Sequence, residues 1–311
     1  MAKAARFHPL SSIRHPRFSA MTGREKREAW EAVAFLSPWI IGFVLFTGGP
    51  IVASLVLSFF RWDGISEPAY IGWANFRQLG RDPTLRLALL NTIVYAAMFI
   101  PASITAALTM AMLLNQRLPG MRFFRTILYL PTLTQGVATF VLWRIVYDAD
   151  NGPVNRFLRH FMENPPGWLI DPAWSKPAIV LMNLWSVGGM MLIFLAGLQN
   201  IPRQLYEAAE IDGAGPVGQF FNVTLPMLSP TIFLNMIMAT IGAFQVFAAA
   251  YILTSGGPQQ STLFYAYYLF NRAFVYFNLG YASAMAWLMF LIILTLTGIQ
   301  IWYSRRWVHY A

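Results

Sequence analysis

Cysteine is absent from all 311 residues, so no disulfide framework or thiolate metal site can form, and cysteine usage carries no information on redox compartment. Charge is also scarce. Asp, Glu, Lys and Arg make up 11% of the chain, against roughly 25% in a soluble domain. The 13 carboxylates all lie between Glu25 and Asp212, and none falls within an apolar run. A bilayer demands that distribution, because a carboxylate at its centre costs about 2.5–3.5 kcal/mol. Only three lysines are present, Lys3, Lys26 and Lys176, and none sits in the G-x-x-x-x-G-K-[ST] frame that cradles nucleotide phosphates. The four histidines, His8, His15, His160 and His309, are too scattered for a metal site or a proton relay. The apolar runs also lack the buried Asp, Glu or His that ion-coupled carriers use. The chain therefore carries neither an ATP site nor a catalytic constellation, and is read as a non-enzyme with no cofactor of its own.

What it has in quantity is apolar surface. Hydrophobic residues make up 57% of the chain, more than a protein core absorbs, so lipid is the expected solvent for much of it. Six runs reach the roughly 20 residues needed to cross a bilayer. They lie near 32–60, 85–113, 124–147, 177–198, 227–253 and 281–303. The fold class is thus all-α: a polytopic membrane protein with about six transmembrane helices. The first run starts too late and runs too long for a signal peptide. Gly48-Gly49-Pro50 is expected to kink it, since proline removes a backbone donor and clashes with the preceding turn.

The formal charge of +9 does not point to nucleic acid, because the basic residues flank apolar runs rather than forming a stripe. Lys3, Arg6, Arg14, Arg17, Arg24, Lys26 and Arg27 precede the first span; Arg117, Arg122, Arg125, Arg203, Arg305 and Arg306 fall on the same side. The other side is sparser, which places both termini in the cytoplasm. Residues 1–31 read as a basic tail and short helix that anchor to anionic lipid, 32–303 as one transmembrane domain, and 304–311 as a cytoplasmic end. The aromatic stretch at 261–280 would bury Asn271 and Arg272 if it crossed, so it is expected to lie in the outer interface as a helix. The loops at 61–84 and 148–176 are expected to hold turns and short caps.

One stretch does not fit a simple connector. "QLYEAAEIDGAGPVGQFFNVTLPMLSP", residues 204–230, places Glu207, Glu210 and Asp212 between two spans. Pro202 opens a strong helix former, Ala208 and Ala209 keep that helix thin, and Gly213 ends or bends it before Ala214-Gly215-Pro216. A second helical stretch then leads to Pro226. Composition alone is equally compatible with a solvated loop. The spacing is more specific: Glu207-Ala208-Ala209, then Gly213, then Val223-x-Leu225-Pro226 resembles the E-A-A, three residues, G, nine residues, I-x-L-P pattern of the membrane subunits of binding-protein-dependent ABC importers. Val223 replaces the isoleucine. "YIGWANF", "FFRTILYLP" and "YILTSGGPQQST" are similar to patterns of the carbohydrate-uptake branch, and the likeness covers roughly residues 30–305.

That resemblance implies a type I ABC importer permease fold in a bacterial or archaeal cytoplasmic (inner) membrane. The 200–226 loop would couple to a separate ATPase through Glu207, Ala208, Ala209, Asp212, Gly213, Leu225 and Pro226, Glu207 meeting a basic residue and Gly213 providing the bend. It further implies a second permease subunit, two ATP-binding subunits that hold ATP and Mg, an extracellular or periplasmic solute-binding protein, and a sugar as substrate. Glycerol phosphate or another polar solute stays open within the family, as does a self-sufficient carrier or channel outside it.

A sugar path needs hydrogen-bonding groups and flat apolar faces near mid-membrane. The candidates are Asn183 and Trp185 on the fourth span, with Ser186 beside them, and Asn235, Phe244, Gln245 and Phe247 on the fifth. Gln245 is expected to share a helical face with Ile241 and Ala249. The same polar groups can equally bond neighbouring helices.

Overall fold

The computed structural model describes residues 22–116, 119–134 and 136–308. Most of the basic tail (1–21), Arg117 and the last residues of the C-terminal end (309–311) lie outside the described residues, so the expectations placed on them are not addressed by it. The chain divides into two units, 1–56 and 57–311.

The first unit is helix α1, which continues just past it (Gly23–Leu57). Thr22 caps it: its hydroxyl accepts from the Glu25 N–H, and the Glu25 carboxylate accepts from the Thr22 N–H. Arg24–Glu28 and Arg27–Glu31 then pair one turn apart. Gly48-Gly49-Pro50 was expected to kink this helix; the structure has there a wide π-type turn at Val44–Gly48 within a helix that runs on to Leu57, the ladder adjusting ahead of a residue without an N–H.

The second unit opens with a two-stranded hairpin, β1 (Phe60–Arg61) and β2 (Ala69–Tyr70), which pair antiparallel with Phe60 opposite Tyr70. Buried Asn75 on α2 (Ala74–Leu79) donates to the Ser58 and Phe60 carbonyls and fixes that hairpin. Helix α3 (Pro83–Leu114) follows, capped by Asp82, whose Oδ1 accepts from the Thr84 and Leu85 N–H groups. At 32 residues it is about 48 Å long, ample for a core about 30 Å thick.

Three apolar stretches are bent pairs rather than continuous rods. Helices α4 (Met121–Leu133) and α5 (Val137–Val146) form the first. After the short α6 (Pro153–Leu158), α7 (Pro172–Leu184) and α8 (Gly188–Gln199) form the second, bent by 52°. Beyond α9 (Arg203–Ile211), α10 (Pro216–Met227) and α11 (Ser229–Phe244) form the third, bent by 66°. With the long α1, α3 and α13 (Leu279–Ser304), this gives up to six crossings by length and composition. Gly188 lets α8 approach α4, since a Cβ there would meet the Leu128 carbonyl and the Tyr129 backbone.

Helix α3 is the spine of the unit, packed along α7, α8 and α11. One core surrounds its first half and includes Tyr95, Ile179, Phe244, Phe264, Tyr265 and Tyr281. A second surrounds its last turns with Leu108, Met191, Phe194 and Leu228. Polar ties join helices where hydroxyls and amides would otherwise face hydrocarbon, such as Gln300 Nε2 on α13 to Thr240 Oγ1 on α11 at 2.8 Å.

One expectation needs correction. The fifth span was expected to be helical through 253, yet α11 ends at Phe244 and helix resumes only near Ala250–Thr254. Gln245 is therefore the C-cap, bonded to the Ile241 and Gly242 carbonyls, and Ala249 lies beyond the break rather than on the same face. The stretch at 261–280 does contain a helix, α12 (Tyr265–Phe270), extended by a π-type turn to Val275. It is about 16 Å long and too short to cross. The aromatic residues of the stretch divide: Phe274, Tyr276 and Phe277 are exposed. Phe264, Tyr265, Tyr267 and Tyr268 are buried in protein, and Tyr265 finds partners there: its Oη donates to the Met285 carbonyl at 2.7 Å, and Thr92 Oγ1 accepts from its N–H at 2.8 Å.

Candidate functional site

The acidic stretch folds as a short helix ended by a defined reversal. Pro202 is the N-cap of α9, where its missing N–H costs nothing. At the other end Asp212 is the C-cap and Gly213 adopts φ +81°. The Ala214 N–H donates to the Ala209 carbonyl at 2.8 Å and the Gly213 N–H to the Glu210 carbonyl at 3.0 Å. This paired arrangement is a Schellman motif, and the left-handed residue it needs is why glycine sits there. Helix α10 then folds back. Tyr206 Oη and Thr224 Oγ1 meet at 2.9 Å, and Gln219 Nε2 donates to the Ala214 carbonyl at 3.3 Å, so α9 and α10 form a braced unit rather than a loose loop.

The face this brace presents is mixed. Glu207, Glu210 and Asp212 are exposed, and so are two large apolar side chains, Ile211 at 87% and Val217 at 71%. Ala208 is exposed and Ala209 half-buried, so nothing bulky stands between the acids. Glu207 is not a free carboxylate: Arg203, one turn earlier, holds it at 3.3 Å, with both side chains largely solvated. Such an exposed pair is worth about 0.3–0.5 kcal/mol and is easily exchanged for another cation. Leu225 and Pro226 are half-buried at the end of α10 and join the brace to α11.

A second candidate region lies where two bent pairs break side by side. Between α4 and α5 the chain passes Thr134 and the extended Gly136, and Thr139 Oγ1 donates to the Thr134 carbonyl. Between α7 and α8, Trp185-Ser186-Val187 forms a turn, and Thr132 Oγ1 on α4 donates to the Ser186 carbonyl at 3.3 Å. A cleft of about 320 Å³ opens there, lined by Gly136, Thr139, Phe140, Met182, Asn183 and Ser186. Irregular backbone within apolar spans is tolerated where it lines a cavity. Asn183 is half-buried and donates to Tyr95 Oη at 2.9 Å, while Trp185 is 58% exposed and stands edge-on to Trp143. The fifth-span candidates divide. Asn235 is buried and bonded to the Thr231 carbonyl of its own helix, and Phe244 is buried in the main core. Gln245 is exposed at the helix break, and half-buried Phe247 packs with Tyr251, Tyr267 and Phe270. Thr139 and Phe140 were not singled out from sequence, since a threonine in an apolar run carries no signal of the break beside it.

At the end of the molecule opposite α9, one carboxylate gathers three elements. Asp82 Oδ2 accepts from Tyr268 Oη at 2.7 Å and Tyr281 Oη at 2.8 Å, and pairs with Arg272 at 3.3 Å. Arg272 also lies over the Tyr268, Tyr276 and Tyr281 rings. Burial pushes the Asp82 carboxyl up, but the tyrosine hydroxyls, the Leu85 N–H and the arginine charge outweigh it and hold the pKa below the usual value. Asn91 Nδ2 to the Gln260 carbonyl and Ser175 Oγ to Ser261 Oγ, both at 2.8 Å, pin the neighbouring 256–263 loop to α3 and α7.

Comparison with known proteins accords with this anatomy. Residues 104–309 match the family described as "binding-protein-dependent transport system inner membrane component". The chain is 43% identical over 282 residues to the probable ABC transporter permease protein YesP of Bacillus subtilis (strain 168), covering 89% of this chain and 91% of that one. It is 36% identical over 281 residues to the lactose transport system permease protein LacF of Rhizobium radiobacter, covering 88% and 93%. Among solved structures, a chain of a bacterial ABC transporter involved in the import of the acidic polysaccharide alginate has the same fold, with a TM-score of 0.79 at 23% identity over 91% of this chain and 98% of that one. The matched stretch contains the braced α9–α10 unit and all three bent helix pairs, and the chain belongs to the family of inner-membrane permease components of binding-protein-dependent ABC transport systems.

Proposed function

We propose that this permease forms half of the translocation path of an ATP-driven importer for a sugar or oligosaccharide, worked from the cytoplasm through α9. The observation that carries the reading is the α9 surface: three acids and the exposed Ile211 on a thin helix, held rigid by the Gly213 reversal and the Tyr206–Thr224 brace. A rigid projecting element transmits a push, whereas a solvated loop would absorb it. On this reading Glu207, Ala208, Ala209, Asp212 and Gly213 meet a cleft of an ATP-binding subunit that holds ATP and Mg. Glu207 exchanges Arg203 for a cation of that subunit, and Leu225 and Pro226 carry the motion into α11. A second permease subunit completes the channel, and a solute-binding protein delivers substrate at the opposite face. Both termini are then cytoplasmic.

The substrate path runs by the cleft at the paired helix breaks, with Asn183 and Ser186 as hydrogen-bonding groups, Trp185 and Phe140 as flat faces, and Gln245 at the break that follows α11. Asn235 and Phe244 act in helix packing in this conformation. Sugar is favoured as the substrate class by the lactose permease likeness and by this pairing of amides and hydroxyls with aromatic rings.

The test is uptake into vesicles holding the assembled permease pair and ATPase, with the receptor outside and ATP within. Accumulation that needs both ATP and receptor, and that is competed by sugars, supports the reading. Uptake that survives ATP depletion makes the chain a self-sufficient carrier instead, and competition by glycerol phosphate but not by sugars moves the substrate class.

A further inference from the structure

We propose that the cleft between α4 and α9 is a binding site for the phosphate headgroup of an anionic membrane phospholipid. This rests on the importer reading only for its orientation, which puts α9 at the inner leaflet.

The cleft is large, about 1040 Å³, and lies where the end of α3, the start of α4 and the α8–α9 connection meet. Its charged lining residues are all of one sign: Arg122, Arg125 and Arg203, accompanied by the amides of Asn115, Gln116 and Gln199. Of these three arginines, only Arg203 has an acidic partner among the described residues, Glu207. Arg125 spends one Nη2 donor on the Leu114 carbonyl at 2.9 Å, closing the end of α3. Its Nε is buried without a partner, so this guanidinium is partly desolvated with no counter-charge. Partial burial of an uncompensated cation is unfavourable, and a bound anion offsets it. Arginine forks match phosphate oxygens in a bidentate way. The start of α4 adds to this, since Gly120 leaves its first N–H groups without a side-chain cap.

What selects a lipid over free phosphate is the surface leading away from the cleft. Phe123, Ile127 and Leu130 stand at spacings of four and three along α4, on one face, and are 66%, 45% and 53% exposed. An acyl chain fits along that ridge while its headgroup sits among the arginines. Basic pockets between membrane helices on the cytoplasmic side take such headgroups.

The experiment uses the assembled, delipidated complex in detergent, titrated with phosphatidylglycerol or phosphatidylcholine and read by native mass spectrometry, with inorganic phosphate as a parallel arm. Wild type is expected to retain phosphatidylglycerol over phosphatidylcholine. The double variant Arg122→Gln/Arg125→Gln should bind it roughly thirtyfold more weakly, about fivefold per arginine, and Arg122→Lys/Arg125→Lys should recover most of it. Arg156→Gln on α6 should change nothing. If the double variant does not assemble, Arg122→Gln alone should still lose about fivefold, because the exposed Arg122 side chain makes no hydrogen bond or ion pair among the described residues. Equal retention by wild type and the glutamine variants overturns the proposal. So does displacement of phosphatidylglycerol by equimolar inorganic phosphate, which would make free phosphate the ligand. Receptor-stimulated ATP hydrolysis in the same preparation separates the two readings: hydrolysis without lipid selectivity sinks this inference alone, and lipid selectivity without hydrolysis sinks the importer reading alone.

Discussion

Arg272 reaches Asp82 at 3.3 Å across 190 positions of sequence, and the same carboxylate oxygen takes the hydroxyls of Tyr268 and Tyr281. Its other oxygen caps α3. One residue thus starts the central helix and fastens α12 and α13 to it, at the end remote from the acidic helix.

Asp82→Asn should therefore destabilise the protein by on the order of 3 kcal/mol, because Arg272 and two tyrosines lose their anion together. Thermal unfolding of the purified chain in detergent measures this. The pH response follows from the lowered pKa. Stabilisation by Asp82 is complete above the usual carboxylate value of about 3.9 and is lost as pH falls through the lowered folded-state value, so wild type should lose this contribution only in strong acid and Asp82→Asn should lack that component.

Gly213 occupies the left-handed region at φ +81° with open space around it. Backbone strain is therefore the main cost of a side chain there, about 1–2 kcal/mol for leucine. Gly213→Leu should leave the protein in the membrane but uncouple receptor-stimulated ATP hydrolysis from uptake. Gly213→Asn, which tolerates this conformation better, should recover a good part of both. Identical uptake by glycine and leucine forms would remove the reversal from the mechanism.

Tyr206→Phe deletes the hydroxyl that meets Thr224 and leaves the ring in place. Roughly 1 kcal/mol of local stability should go with it. Faster amide exchange over 203–224, together with a lower uptake rate at unchanged expression, is the expected pair of results.

The cleft at the paired breaks offers a volume test. Ser186→Leu projects into a space of about 320 Å³. Uptake should fall several-fold while basal ATP hydrolysis by the assembled complex is retained. Equal uptake would move the path elsewhere.

What could be read from sequence and what could not divides along physical lines. The α9 helix, its proline start and its glycine stop are local chemistry, written within a dozen residues, so the sequence signalled them directly. The six apolar runs were likewise visible, because lipid imposes a length. The helix breaks were not: Gln245 and Ser186 are polar residues in apolar runs, and polarity there can mean a break, a helix–helix bond or a path. Nor was the Asp82–Arg272 pair legible, since nothing in a stretch around 82 announces a partner near 272. The aromatic stretch at 261–280 was judged by its surface chemistry, yet Tyr265 and Tyr268 are buried, with the Met285 carbonyl and Asp82 taking their hydroxyls.

The central claim is that α9 is gripped by an ATP-binding subunit. Ile211, 87% exposed at the tip of that helix, is the position from which to ask. A photoreactive benzoyl-phenylalanine placed at 211 in the intact complex should, on irradiation, join this chain to the ATP-binding subunit, with a yield that changes when nucleotide is added. An intact complex that gives no such adduct, or one that joins position 211 to the external receptor, would contradict the account.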